Sequence, residues 1–228
     1  MLYIVATPIG NLEDITLRAL RILKEVNYIL CEDTRVSKKL LDHYEIKDKK
    51  LISYHHHSSE SKIQEIIELI KNNQVALITD AGTPGISDPG NILISKIVQT
   101  DCSLPIISIP GASAVIAALS ISGLPTDKFI FKGFIPHKKG RETFLKQVLE
   151  AKETVVFYES CHRILKCLEQ LNTAYQNMTS PCSKHLVVCR ELTKKFETIY
   201  RGPAEEILEK IKKEFHAGTP KGEFVLLI

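Results

Sequence analysis

Residues 75–90 read VALITDAGTPGISDPG, in which the apolar or β-branched run Val75–Thr79 passes directly into Asp80–Gly90, a loop built mostly of small residues and prolines. A short apolar run bounded by turn residues is the pattern of a strand buried in a parallel sheet. The loop at its carboxyl end is where open α/β sheets hold a ligand. The pattern recurs twice: Leu2–Ala6 leads into Thr7-Pro8-Ile9-Gly10-Asn11, and Ile106–Ile109 into Pro110-Gly111-Ala112-Ser113-Ala114. One such loop alone reads as a tight turn. Three in one half of a chain point to a ligand crevice, because small residues let a ligand approach the backbone and the amides opening the next helix receive a carboxylate or phosphate.

Working outward, further strands are predicted at Tyr28–Cys31, Leu51–Tyr54, Phe129–Phe131, Thr154–Tyr158, His185–Cys189 and Phe224–Ile228, and a helix near Thr16–Val26. Ile63, Ile66, Ile67 and Ile70 share one helical face, as do Ala204, Ile207, Leu208, Ile211 and Phe215. Ser61 and Gln64 have capping-box spacing at the start of the first of these helices. Such alternation argues for α/β layers with a parallel sheet in the first half. After Gly123-Leu124-Pro125 the rhythm changes, since Phe129–Ile135 and Leu192–Gly202 read as strand or hairpin material without an intervening helix. The expected organisation is an N-terminal α/β domain over 1–111 and a mixed α/β domain over 112–228.

Composition sets bounds on partners. The 228 residues carry 30 basic and 27 acidic side chains, a net charge of +3, so any preference for an anionic partner must come from local patches. Cys31, Cys102, Cys161, Cys167, Cys182 and Cys189 include no CxxC pair and read as reduced structural thiols. His55-His56-His57 is too contiguous to hold one metal well and reads as a loop, so no metal is expected. No basic leader precedes the first apolar stretch, and no apolar run approaches the ~18 residues of a membrane span. A cytoplasmic protein without membrane contact is the expectation. Glu32 and Asp33 end the second strand where a dinucleotide's ribose would be bound, yet Gly10 is the sole glycine in the first turn, so GxGxxG is missing and a P-loop is absent too.

TDAGTPGISDPG (Thr79–Gly90) is similar to the signature of the tetrapyrrole methylases in their small-subunit ribosomal RNA branch. Supporting blocks are VATPIGNLEDITLRAL (Val5–Leu20), CEDTR (Cys31–Arg35), IPGASA (Ile109–Ala114), VFYES-x-HR (Val156–Arg163), REL (Arg190–Leu192) and KGEFVL (Lys221–Leu226), which span the chain. The resemblance implies a two-domain fold with S-adenosylmethionine folded in the cleft between a mainly parallel and a mixed sheet, in a homodimer. It implies methylation of a cytidine ribose 2′-hydroxyl in small-subunit ribosomal RNA. It further implies that Pro8, Gly82, Thr83, Ile86, Ser113 and Ala114 line the cofactor site from the N-terminal half, with Tyr158, Glu159, Lys221 and Gly222 approaching from the second half. Members usually carry proline where Cys161 stands, and an acidic residue and an asparagine at the positions of His56 and Ser58. Many continue into a helical tail beyond the strand on which this sequence stops.

Within that resemblance the charged residues divide into two groups. Lys138, Lys139 and Arg141, with Arg35, are candidates for RNA phosphate contact, while Lys38, Lys39, Lys194 and Lys195 form further basic pairs. For His162 and Arg163, helix capping or packing competes with a substrate role. A ribose hydroxyl is a weak acid, so a carboxylate could take its proton. Asp33, Asp80 and Glu159, each at a strand's carboxyl end, are the candidates, and each could instead cap a loop or pair with a cation. Competing functions are methylation of a tetrapyrrole or other small molecule, and cofactor binding without catalysis.

Overall fold

The computed structural model describes residues 1–177, 185–216 and 218–228, so Cys182 lies outside the described residues. The chain divides into two compact units, Met1–Ser113 and Ala114–Ile228.

In the first unit, strands β1 (Leu2–Val5), β2 (Tyr28–Cys31), β3 (Lys50–Ser53), β4 (Val75–Leu77) and β5 (Ile106–Ile109) are joined by helices α1 (Leu17–Glu25), α2 (Thr34–His43), α3 (Glu60–Asn72) and α4 (Asn91–Thr100). All strand pairs are parallel, in the order β3-β2-β4-β1-β5. Successive side chains of a strand point to opposite faces, and the two faces carry separate cores. Leu2, Ile4, Leu30, Val75 and Leu77 pack with Ile63, Ile66, Ile67 and Ile70 of α3 and Leu93 and Ile97 of α4. Val5, Ile29, Cys31, Ala76 and Ile78 pack with Ala19, Ile22 and Leu23 of α1 and Leu41 of α2. The isoleucine face of α3 is buried as its spacing predicts, but its capping residue differs. Ser59, not Ser61, caps the helix, its side chain accepting from the Lys62 amide at 3.3 Å. Ser61 instead pairs its hydroxyl with that of Ser59 at 2.9 Å.

The second unit contains α5 (Ala114–Ser122), β6 (Phe129–Phe134), α6 (Arg141–Glu150), β7 (Thr154–Ser160), α7 (Ile164–Gln176), β8 (Leu186–Arg190), β9 (Thr198–Gly202), α8 (Ala204–Glu214) and β10 (Glu223–Leu227). Its sheet runs β6-β7-β10-β8-β9 and is mixed: β6 and β7 are parallel, and the other pairs antiparallel. Two sequence expectations change here. Phe129–Ile135 is strand material, but β6 returns through α6 to pair parallel with β7. Within Leu192–Gly202 only Thr198–Gly202 is extended, as a hairpin partner of β8, and the residues before it form turns.

Cys31, Cys167 and Cys189 are buried, Cys161 is half-buried and Cys102 exposed, all as free thiols. Burial pushes the Cys167 thiol up to about 12 and that of Cys189 to about 11, which keeps both unreactive. Among the described residues no helix is long and apolar enough to cross a membrane.

Phe157 of β7 is fully buried and meets Phe144 of α6 edge to face at 5.4 Å. Phe157→Ala is expected to cost about 3–5 kcal/mol through the cavity it leaves, read as a lowered midpoint of urea unfolding.

Candidate functional site

The order β3-β2-β4-β1-β5 places the carboxyl ends of β4, β1 and β5 side by side. Chain leaving β1 turns to the face covered by α1, and chain leaving β4 to the face covered by α4. Adjacent strands whose connections depart to opposite faces open a crevice, the switch point at which such sheets bind ligands. The three small-residue loops meet there. Thr7 and Gly82 form a two-way backbone bridge, with N···O distances of 2.9 and 3.0 Å. The buried Thr7 hydroxyl donates to the Thr79 carbonyl at 3.0 Å. Thr83 closes the set by donating its hydroxyl to the Ala112 carbonyl at 3.1 Å.

Two glycines are favoured here. Gly82 has φ +81°, a conformation that favours glycine, and a Cβ there would lie in van der Waals contact with Ile9 Cγ2 at 3.4 Å; a Cβ on Gly111 would fall 2.9 Å from that of Ala6. Of the other first-unit residues expected to line the site, Pro8 is buried, Thr83 and Ser113 are half-buried, and Ile86 is exposed on the second loop. Ala114 begins α5.

Beside these loops stand the acids that end β2 and β4. Asp80 accepts the Asp33 amide at 3.2 Å. Asp33 caps α2 through the Arg35 amide at 2.8 Å and binds the Arg35 guanidinium, with Nη2 2.6 Å from Oδ2. The Arg35 side chain holds the Asp33 carboxyl down at about 2. Asp80 keeps solvent access but is flanked by enough protein that burial, assisted by the charge of Asp33, raises its carboxyl above the ordinary value. Burial and Asp80 raise Glu32 in the same way. The Arg35 side chain remains 87% exposed despite its partner.

In the second unit the structure reassigns two residues. Glu159 is buried, its Oε2 2.9 Å from Arg141 Nη1 and its Oε1 2.9 Å from Arg163 Nη2, and it also accepts the Ser160 amide at 2.7 Å. A carboxylate so enclosed organises the end of β7. Arg141, expected on the surface with Lys138 and Lys139, has a side chain only 6% exposed. It therefore cannot meet a phosphate as its neighbours can. Arg163 takes the structural alternative. Lys138 and Lys139 are exposed, whereas Lys194 is tied to Glu191 and Glu223 at 2.8 Å each. Tyr158 packs edge to face on Phe131 and Phe134. Lys221 is exposed; its carbonyl accepts Arg190 Nε at 2.7 Å, and a Cβ on Gly222 would strike Glu191 Cγ at 2.4 Å.

Comparison with known proteins gives this arrangement its family. Residues 1–208 match the Tetrapyrrole (Corrin/Porphyrin) Methylases. The chain belongs to the tetrapyrrole methylase family. It is similar to the ribosomal RNA small subunit methyltransferase I of Halalkalibacterium halodurans, 44% identical over all of this chain and 75% of that protein. The protein of that name from a Hydrogenobaculum species is 46% identical over all of this chain and 94% of its own length. Among solved structures, diphthine synthase superposes with a TM-score of 0.74 at 15% identity, covering all of this chain and 88% of that one. A uroporphyrin-III C-methyltransferase from Thermus thermophilus complexed with S-adenosyl homocysteine superposes at 0.61 and 16% identity, covering 99% and 96%. At such identities the structures show the tetrapyrrole-methylase fold alone.

Sequence reasoning missed Thr7 as the tie among the loops and Thr79, whose buried hydroxyl has no partner among the described residues. The available signal was a hydroxyl residue closing an otherwise apolar strand. It also missed Glu32 as a third interacting carboxylate. A carboxyl whose value is raised on folding destabilises the folded protein when ionised, and the penalty disappears below its unfolded value. Asp80→Asn should therefore raise the thermal midpoint at neutral pH, with the gain shrinking as the buffer is acidified; an unchanged midpoint at every pH would refute the assignment.

Proposed function

We propose that this chain is an S-adenosylmethionine-dependent methyltransferase of small-subunit ribosomal RNA, acting on the 2′-hydroxyl of a cytidine ribose. The carrying observation is full-length identity of 41–46% to proteins named ribosomal RNA small subunit methyltransferase I, in a chain whose three loops converge on one crevice. Methylation of a tetrapyrrole has the family match and the shared fold in its favour, but no relative at 41–46% identity named above carries that activity in its name.

The residues present suit the cofactor. Gly82 at φ +81° gives the loop a turn that exposes backbone to a ligand without a side chain, and the exposed Ile86 offers an apolar contact to an adenosyl group. In this reading Pro8, Gly82, Thr83, Ile86, Ser113 and Ala114 hold the cofactor, and Tyr158, Lys221 and Gly222 are further contacts that rest on the family resemblance alone. The bound cofactor supplies an electrophilic methyl group. The chain supplies alignment and a proton acceptor. Holding the reacting atoms about 3–3.5 Å apart accounts for roughly 7–11 kcal/mol of barrier reduction.

Of the three carboxylates, Asp80 is the one we assign as acceptor of the ribose proton. Glu159 is enclosed by two guanidiniums, and Asp33 is committed to the α2 cap and Arg35. Asp80 Oδ1 is fixed by the Asp33 amide, which orients the carboxylate for proton uptake on Oδ2. Arg35, Lys138 and Lys139 are the proposed phosphate contacts. The resemblance also carries homodimeric assembly, which sedimentation of the purified chain checks, and work in the cytoplasm.

The decisive experiment is transfer of labelled methyl from S-adenosylmethionine to purified small ribosomal subunits lacking the modification, with the labelled nucleotide mapped. Incorporation at a cytidine ribose supports the reading; none, or incorporation on a base, overturns it. Gly82→Leu should lower the thermal midpoint through its φ of +81° and abolish cofactor binding in calorimetry at a temperature where circular dichroism shows the variant folded. Single-turnover rates should fall as pH drops through the raised value of Asp80, and Asp80→Asn should remove both the acid limb and most of the rate. An Asp80→Asn protein with a wild-type rate and profile would leave Asp80 a structural residue.

A further inference from the structure

The burial of Arg141 turns a residue expected at the surface into a clamp. Its Nη1 donates to the Pro136 carbonyl at 3.2 Å and to Glu159 Oε2 at 2.9 Å, and its Nε donates to Gln170 Oε1 of α7 at 2.7 Å. Its backbone amide donates to the Lys138 carbonyl at 3.3 Å. One residue thus grips both Pro136 and Lys138, across a turn closed by Gly140 at φ +83°. Glu159 is fixed in turn by Arg163, so the turn is tied to β7, α6 and α7 together. What the turn displays is His137, Lys138 and Lys139, all exposed. Among the described residues neither ammonium group has an ionic partner, in contrast to Lys194. Beneath the turn, two guanidiniums face one carboxylate, leaving a net positive charge.

We propose that Arg141 is a positioning residue for RNA binding: it holds the Pro136–Gly140 turn in the shape that brings Lys138 and Lys139 onto successive backbone phosphates. This rests on the reading of the chain as an RNA methyltransferase. Two lysines on a slack turn would have to be ordered on binding, and a turn fixed beforehand avoids that loss. Arg141 performs this function without touching RNA. A lysine in its place would keep the charge but lack the planar fork that reaches Pro136, Glu159 and Gln170 at once.

The test measures affinity for a small-subunit ribosomal RNA transcript against salt concentration, using the full chain. The variants are Lys138→Ala with Lys139→Ala, Arg141→Lys, Gln170→Leu, and Arg141→Lys in the lysine-less background. Each lost phosphate contact lowers the salt slope by roughly 0.7–0.9. The expectation is that Arg141→Lys and Gln170→Leu flatten the slope in the direction of the lysine pair, and that Arg141→Lys adds nothing once the lysines are gone. If the lysine pair flattens the slope but folded Arg141→Lys and Gln170→Leu keep the wild-type slope, the clamp is only structural and the proposal fails. If removing the lysines leaves the slope unchanged, this turn does not contact RNA and the proposal fails with that assignment, whether or not methyl transfer is observed. Should Arg141→Lys not fold, Gln170→Leu decides, since it removes one anchor at a half-buried position of α7 and leaves the Arg141–Glu159 pair in place.

Discussion

The bridge between Thr7 and Gly82 is the constraint on which the first unit's site depends. Loops leaving β1 and β4 diverge toward opposite faces of the sheet, so nothing in strand pairing alone would bring them together. Two backbone hydrogen bonds at 2.9 and 3.0 Å and the Thr7 hydroxyl on the Thr79 carbonyl join them beyond the last strand residues. Each such bond is worth only about 0.5–1.5 kcal/mol net, while ordering a loop costs about 1–2 kcal/mol per residue. The bridge can therefore set the loops' geometry only because the strand ends beneath it are already fixed by buried Val5, Leu77 and Ile78. Core packing supplies the stability, and the bridge converts it into a shaped crevice.

The same division explains why carboxylates of one chemical type have different fates. Glu159 lies against two guanidiniums in a closed interior, where removing either partner would strand a buried charge, a far larger penalty than the net worth of the pair. Asp33 sits at a helix start with a bidentate arginine and is committed to its charged form. Asp80 has an amide from Asp33 and no arginine of its own, and like-charged neighbours in Asp33 and Glu32. Environment separates three acids into a structural anion, a cap and a titrating group, which is how sites assign acid–base roles.

The strands and the apolar faces were legible because period and burial coincide: Ile63, Ile66, Ile67 and Ile70 could satisfy only a helix with one buried side. The loop cluster was legible because glycine and proline at strand ends have few other uses. What escaped the sequence is what depends on the partner across space. Nothing local distinguishes Arg141 from Lys138 and Lys139, since its burial is decided by Glu159 and Gln170, 18 and 29 residues away. Ser59 and Ser61 are equally plausible caps until the helix axis is known. Parallel return of β6 through α6 was hidden because a helix with a mixed face, such as Arg141–Glu150, carries a weak period.

Local strain is present at the loop where the ligand is proposed to bind, as it is at Glu45, Asp48, Glu191, Thr193 and His216 elsewhere. In the second loop Ser87 adopts φ +65°, Gly85 and Gly90 are also at positive φ, and the Gly85 amide folds back on the Pro89 carbonyl at 3.2 Å. Under that loop lies the Thr79 hydroxyl, without a partner among the described residues, and beside it Asp80, whose carboxyl burial raises. Of these features the Ser87 conformation, the unmet Thr79 hydroxyl and the charge on Asp80 work against folding, and they sit on the ends of strands whose cores are fully buried. Non-glycine residues at positive φ and unmet buried polar groups persist only where surrounding structure over-determines them. On the second loop a strained serine, an unmet hydroxyl and a partly desolvated carboxyl coincide, held by the packed strands beneath them. A chain selected for stability alone would place an ordinary turn between β4 and α4, with an uncharged residue at position 80.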